Sequence, residues 1–315
     1  KVGTQTNLTI KLETTSETIQ DVVVTALGMT RERKSLGYSV GDIKGEAFEK
    51  VRELNVINSL AGREPGLIIS QTAGGPSGSS HVEIRGSSML TGNNQPLYVV
   101  DGMPIDNTNF GSANKDGGYD LGDGISSINP DDIESMSILS GATASALYGA
   151  QGANGVILIT TKKGKEGRVR VNYSNSTTFS HPFVMPKFQN TYGTSEIEPM
   201  MSWGSKLATP TSYDPADFFQ TGFNETNSVG LSAGTERNQT YASASAVNSR
   251  GIIPNNGYDR YNFTFRNTSS FLKDKMQLDL GASYIIQKDR NMVNQGVYSN
   301  PLVSAYLFPR GDDWA

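Results

Sequence analysis

The sequence predicts a mostly β chain in two parts: a mixed α+β unit, then long antiparallel strands of the membrane-barrel type. Three observations carry this. Charged residues are 18% and hydrophobic residues 36% of the 315, so neutral polar side chains and 34 glycines make up much of the rest. Ordinary globular chains carry about 25% charge. Of Tyr 13, Phe 12 and Trp 2, only Tyr38, Phe48, Tyr98, Phe110, Tyr119 and Tyr148 lie before residue 166. After that point apolar and polar residues alternate in runs, joined by connections that are short and long in turn.

Taken in order, Thr6–Leu12 alternates as a strand and reads as the end of a domain that starts earlier. After a polar stretch comes Asp21-Val22-Val23-Val24-Thr25-Ala26. This is either an ordinary strand or an exposed one waiting for a partner's sheet edge. Ala47–Leu60 has helical spacing (Phe48, Val51, Leu54, Ile57, Leu60) and stops at Pro65-Gly66. Leu67-Ile68-Ile69, Val82–Arg85 and Leu97–Val100 read as strands, the last two joined by Gly86–Pro96. Asn129-Pro130-Asp131-Asp132 opens another unit. Ala142–Tyr148 reads as a small-residue helix and Gly155–Thr161 as a closing strand. The charged, Gly-punctuated turn Thr160-Thr161-Lys162-Lys163-Gly164-Lys165-Glu166-Gly167 marks the boundary.

Beyond it, Val169, Val171 and Tyr173 alternate with Arg170, Asn172 and Ser174. Similar rows run through Ser228–Ala233, Gln239–Val247, Tyr261–Arg266 and Met276–Ile286, five strands in all. The connections run long (181–225), short (235–238), long (249–259) and short (270–275). A soluble β-sandwich also alternates, but strands of 10–12 residues exceed its usual length. The apolar rows are expected to face lipid and the polar rows a wet lumen. Trp203, in the first long loop, is expected to pack that loop.

The chemistry that is missing narrows the function. Cys 0 excludes disulfides and thiolate sites, and His81 and His181 are too few for a His-based triad or zinc site. No 18-residue apolar run spans a membrane as a helix, which leaves barrel strands untouched. Lys1-Val2-Gly3-Thr4 is no signal peptide. A net charge of −4 gives no case for nucleic acid. Ser112-Ala113-Asn114-Lys115 matches Ser-x-x-Lys by chance. Asp116, Asp120 and Asp123 read as a solvated loop rather than an ion site. No enzyme, cofactor or metal is expected.

Longer motifs point to a family. Asp21–Gly28, Ser59–Leu67 (SLAGREPGL), Ile84-Arg85-Gly86, Pro96–Ile105 (PLYVVDGMPI), Asn129–Glu134, Gly141–Lys163 and Gly251–Phe263 resemble SusC/RagA-type TonB-dependent outer-membrane transporters of Bacteroides-like bacteria. The resemblance runs from about residue 6 to 290. It implies a mostly β fold: an α+β plug domain followed by the first antiparallel strands of a large transmembrane β-barrel. Such barrels have 22 strands and about five are encoded here, so the chain is expected to lack most of its barrel. The resemblance divides the chain into 1–20, the end of an N-terminal regulatory-like β-domain; 21–35, the TonB box and linker; 36–165, the plug; and 166–315, the first barrel strands and loops.

The implied function is import of an oligosaccharide or peptide across the bacterial outer membrane. TonB, energised by ExbB/ExbD and the proton gradient, would bind Asp21, Val22, Val23, Val24, Thr25 and Ala26 from the periplasm. A SusD-like surface lipoprotein and outer-membrane lipid are the other implied partners. Strands 82–85 and 97–100 are expected to run in opposite directions, so loops 71–80 and 104–124 would share one end. The resemblance turns that end to the cell exterior. Ligand contacts would then come from Gln71, Ser77, Asn107, Asn109, Phe110, Tyr119 and Asp120. The alternatives are a receptor for a vitamin or iron chelate, and an adhesin or structural β-protein that transports nothing.

Overall fold

The computed structural model describes residues 22–24, 30–32 and 41–312, apart from 51, 88, 91–93, 109–110, 112, 198, 200, 273–274 and the side chains of residues 22–24, 30–32 and 50. Strand Thr6–Leu12 lies outside the described residues. β1 (Val22–Val24) pairs antiparallel with β2 (Thr30–Glu32), with Val23 opposite Arg31.

A five-stranded mixed sheet centres the first unit. Its strands are β3 (Gly41–Lys44), β6 (Leu97–Val100), β7 (Met103–Ile105), β8 (Ile133–Leu139) and β9 (Val156–Thr161), in spatial order β3-β8-β9-β6-β7. β9 reads Val-Ile-Leu-Ile because it is covered on both faces. One face packs Ile157 and Ile159 against Phe48, Val56, Ile57 and Leu60; the other packs Val156 and Leu158 against Ala144 of α2 (Gly141–Tyr148). β6 turns into β7 through Asp101 and Gly102 at φ 49° and 86°. That left-handed pair suits a two-residue hairpin turn, where glycine has no steric cost.

Two local expectations fail. The helix expected over Ala47–Leu60 is broken into α1 (Glu46–Lys50) and a 3-10 turn, Val56–Leu60. Asn55 sits between them with extended backbone and accepts a hydrogen bond from Ile57 N at 3.2 Å, a cap that starts a new turn. Phe48, Ile57 and Leu60 are still buried, so helical spacing had located the apolar face but not the break. Nor are the strands at 82–85 and 97–100 partners. β5 (Ser80–Ile84) pairs with β4 (Leu67–Gln71) as a separate hairpin, and β6 lies parallel to β9.

The second unit is one antiparallel sheet of five strands: β10 (Gly167–Ser180), β11 (Gly222–Gly234), β12 (Asn238–Arg250), β13 (Gly257–Phe271) and β14 (Met276–Arg290). Strands of 13 to 15 residues exceed what a tilted strand needs to cross a bilayer, about 9–11. The connection 251–256 is shorter than expected because β12 and β13 keep pairing as far as Arg250 and Gly257. The sheet is open, with β10 and β14 at its edges.

Its two faces differ as the alternation requires. Val169, Val171, Tyr173, Val229, Leu231, Phe263, Phe265, Leu280 and Tyr284 are exposed on the outer face. On the inner face, Thr226, Ser228, Ser245, Ser249 and Asn262 are buried. Along this stretch the polar row does not line a wet lumen, because the first unit packs against it. A hydroxyl facing water and one facing a polar protein surface are the same letter in the sequence. Trp203 is 83% exposed, so it does not pack its loop.

Candidate functional site

The seam between the two units is built from side chains of both. On the plug side a strip from 121 to 132, containing 3-10 turns Ile125–Ser127 and Pro130–Asp132, follows the inner sheet face. Asp131 accepts from Ser174 Oγ at 2.8 Å and pairs with Arg52 at 3.0 Å. Asp132 accepts from Tyr241 OH at 2.9 Å and Thr264 Oγ1 at 3.0 Å. Asn262 Nδ2 donates to Ser127 O at 2.6 Å. Arg260 is 1% exposed and donates to the carbonyls of Ser126 and Leu54. Further along, Arg266 meets Asp101 at 2.7 Å and holds Asp279 with two bonds of 2.9 and 3.0 Å. Paired guanidinium–carboxylate geometry of this kind fixes orientation as well as distance.

The seam gives the molecule two ends. At one, Lys165 N donates to Ser232 Oγ near the short turns. At the other, loops 72–79 and 106–124 meet each other and the connections that follow β12 and β14. Gly118 N donates to Asn294 Oδ1 at 2.6 Å, and Gln295 N to Gly118 O at 2.7 Å. Ser77 Oγ lies 3.4 Å from Met292 Sδ. The two plug loops therefore share an end as expected, although β5 and β6 are not a pair. Their common tie is Asp120.

Asp120 and Asp123 are both closed to solvent, so this is not the solvated loop that the sequence suggested. Asp120 Oδ2 accepts from Thr72 Oγ1, from Ser79 N at 2.9 Å and from Ser79 Oγ at 3.0 Å; Oδ1 accepts from Gly122 N at 3.0 Å. Burial pushes its pKa up, but these bonds outweigh it and hold the carboxyl below its ordinary range. At Asp123 burial wins, and the pKa is raised despite bonds from Ser80 and Ser126. Among the described residues no group of three or more His, Cys, Asp or Glu could hold a metal.

Because Asp120 is depressed, its contribution to stability is present above the ordinary carboxylate pKa and is lost as pH falls through the lower folded value. Asp120→Asn would set an NH2 against the three donors on Oδ2. We expect a cost of about 1–3 kcal/mol at neutral pH. Hydrogen exchange at Ser79 and Gly122 in the full-length protein would rise, and unchanged protection there would refute this.

The sequence-derived ligand residues divide. Gln71, at the end of β4, and Tyr119, which bridges to Asn294, are exposed. Asn107 is half-buried and its Oδ1 accepts from Ile125 N at 2.8 Å. Ser77 and Asp120 are buried. Asn109 and Phe110 lie outside the described residues, as do Asp21, Thr25 and Ala26; Val22, Val23 and Val24 form β1.

Sequence reasoning missed a recess beside these loops. Thr72, Ala73 and Gly75 form one wall; Phe219, Ile252, Val293 and Tyr306 form others, around about 390 Å³. Tyr306 rides on α3 (Pro301–Leu307) and is held by Phe188 and Phe219, whose ring centroids lie 6.0 and 6.4 Å away. The sequence signal for α3 is Asn300-Pro301: Asn300 Oδ1 caps Leu302 N at 3.0 Å, with Pro in the first turn. Beyond residue 290 the sequence shows no alternation to prompt a search.

An α+β unit seated on the polar face of an open antiparallel sheet, with loops of both gathered at one end, defines the plug and wall of a TonB-dependent receptor. A family model described as TonB-dependent Receptor Plug Domain matches residues 32–156. The chain is 31% identical over 300 residues to the TonB-dependent receptor SusC of Bacteroides thetaiotaomicron, and 27% identical over 317 residues to the TonB-dependent receptor P26 of Formosa agariphila. These matches cover 92% and 94% of the chain but 28% and 29% of the relatives, so the chain spans less than a third of their length. The RagAB peptide importer in its open-open state superposes with a TM-score of 0.69 at 23% identity, over 86% of this chain and 32% of that one. The siderophore receptor PirA from Acinetobacter baumannii gives 0.53 at 20%, over 85% and 34%. The chain belongs to the SusC/RagA type of TonB-dependent transporter, and it carries a plug and part of a barrel.

Proposed function

We propose that the full-length protein imports an oligosaccharide or peptide across the outer membrane, driven through TonB and assisted by a SusD-like lipoprotein. TonB would add a strand to residues 21–26, using main-chain hydrogen bonds that a Val run suits. The outer row of β10–β14 would face lipid. Loops 72–79 and 106–124 would face the exterior, with Gln71, Asn107, Asn109, Phe110 and Tyr119 touching ligand, and Ser77 and Asp120 holding the loops in shape.

The observation that carries this reading is the recess beside Thr72, Ala73 and Gly75. It joins plug and barrel wall at the end where the longer loops gather, and among the described residues its lining holds no charged side chain. A neutral ligand segment suits such a lining better than an anionic iron chelate, which would call for cations. The RagAB peptide importer is named for peptides, and neutral oligosaccharides suit the same uncharged lining.

Tyr306→Ala removes the half-buried aromatic wall. With about 1.5–3 kcal/mol for a buried side chain of that size, ligand affinity is expected to fall roughly tenfold or more. Ala73→Trp, which fills the recess, is expected to weaken binding similarly. Calorimetric titration of the full-length protein with neutral oligosaccharides and mixed peptides checks this. Wild-type affinity in both variants for a ligand that the protein imports would overturn the assignment.

A further inference from the structure

The outer sheet face carries charges that import through the barrel interior does not use. Register places Thr177, Glu225, Asn248, Asp259 and Lys288 in one row across all five strands. One step nearer the longer loops, the row is Phe179, Phe223, Arg250, Gly257 and Arg290. On β12 the intervening positions Tyr241, Ser245, Val247 and Ser249 are buried on the plug side, so Asn248 and Arg250 lie on the opposite face.

Arg250 on β12 and Arg290 on β14 thus flank β13, either side of a residue with no side chain, Gly257. A Cβ placed at Gly257 would come no nearer than 3.6 Å to Ser249 O and 3.9 Å to Arg290 Cβ, so the space immediately over Gly257 is open. Both arginines line a recess of about 750 Å³ that wraps the end of β12 and β13, shared on this face with Asn248, Asp259 and Gln220. Arg250, Lys288 and Arg290 form no ion pair among the described residues. The one acid lining the recess, Asp259, accepts from Asn248 Nδ2 at 2.8 Å. Positive charge is left in excess, carried by planar forks that match phosphate oxygens.

What lies beneath identifies the occupant. Continuing down the same strands, the outer row becomes Ala246, Ala244 and Ala242 on β12, with Tyr261, Phe263 and Phe265 on β13. Below one polar row, Asn248, Asp259 and Lys288, an anion held between the arginines therefore has hydrocarbon-compatible surface. A free phosphate has no use for that surface, whereas a membrane lipid fits both parts. We propose that Arg250, Gly257 and Arg290 hold the phosphate of a phosphorylated lipid headgroup, with its acyl chain lying over Ala246 and Phe263. The proposal rests on this sheet face lying in a membrane, as the proposed function has it.

The test uses full-length protein extracted from membranes in mild detergent and rebound to micelles containing diphosphoryl or dephosphorylated lipid A. Wild type is expected to retain the phosphorylated form preferentially. Arg250→Ala with Arg290→Ala is expected to cut that retention roughly tenfold, and the double Lys variant, which keeps charge without the fork, to fall between. Nutrient affinity should stay at the wild-type value, which shows that the double Ala variant is folded. Equal retention by wild type and the double Ala variant would overturn the proposal, as would equal binding of dephosphorylated lipid. Displacement by inorganic phosphate alone, without dependence on the acyl chains, would assign the recess to free phosphate instead and also overturn it. Recovery of wild type from the soluble fraction would refute the membrane placement, a separate result from any of these.

Discussion

Val23→Pro in the full-length protein is expected to abolish energised uptake while leaving ligand affinity unchanged. The argument is one of main-chain geometry. β1 is three residues long and already pairs with β2, Val22 opposite Glu32, Val23 opposite Arg31 and Val24 opposite Thr30. In an antiparallel pair a residue's N–H and C=O point to the same edge, and its neighbours' point to the other. One edge of β1 is therefore taken by β2, and only the other is open to a TonB strand. Proline removes a donor and places its ring where the incoming strand must approach. A ladder hydrogen bond is worth about 0.5–1.5 kcal/mol net, and a three-residue strand has few to lose. Proline placed in turn at 22, 23 and 24 sharpens the test. If β2 stays paired, position 23 differs from 22 and 24, because its amide points the opposite way. If TonB displaces β2, all three positions are affected alike. Wild-type uptake by Val23→Pro would remove residues 21–26 from the mechanism.

How much of this was legible depends on what each sequence signal measures. Alternation reports the period of a strand and the polarity of its two faces, so β10–β14 and their outer row could be read directly. It does not report what covers the polar face. Ser228, Ser245 and Asn262 look like residues of a watered channel, yet here they are dry and pack against the plug. Helical spacing located Phe48, Ile57 and Leu60 in the core, but the Asn55 cap that breaks the helix depends on one side chain reaching back to Ile57 N. Strand pairing was the least legible feature. Val82 and Tyr98 are both buried core residues, and nothing in either stretch says that one belongs to a hairpin and the other beside β9. The convergence of loops on Asp120 was anticipated in position only, because burying that carboxylate depends on four donors from two separate loops.

Arg260→Ala is expected to loosen the plug from the wall by about 3–5 kcal/mol, the range for large buried truncations. Arg260 projects from β13 into the plug and is the largest fully buried side chain among the described residues. It forms no ion pair among the described residues; its partners include the main-chain carbonyls of Leu54 and Ser126 and the Tyr258 hydroxyl. Two effects then oppose each other. Removing a buried cation relieves a desolvation cost of several kcal/mol. Against this, Ala leaves a cavity the size of the lost side chain and strips the buried Ser126 and half-buried Leu54 carbonyls of this donor, at up to about 1–3 kcal/mol each. Cavity and orphaned carbonyls together exceed the relief, because carbonyl oxygens already solvate the guanidinium. Arg260→Met separates the two terms: it refills most of the volume, lacks charge and still orphans both carbonyls, so a smaller loss is expected. Ser126 O belongs to the strip 121–132 that also carries Asp131 and Asp132, so the readout is local. Hydrogen exchange across 121–132 in the full-length protein should rise more in the Ala variant than in the Met variant. Equal protection in wild type and Arg260→Ala would show that the wall grips the plug through Asp131, Asp132 and Arg266 alone, with the buried arginine adding nothing.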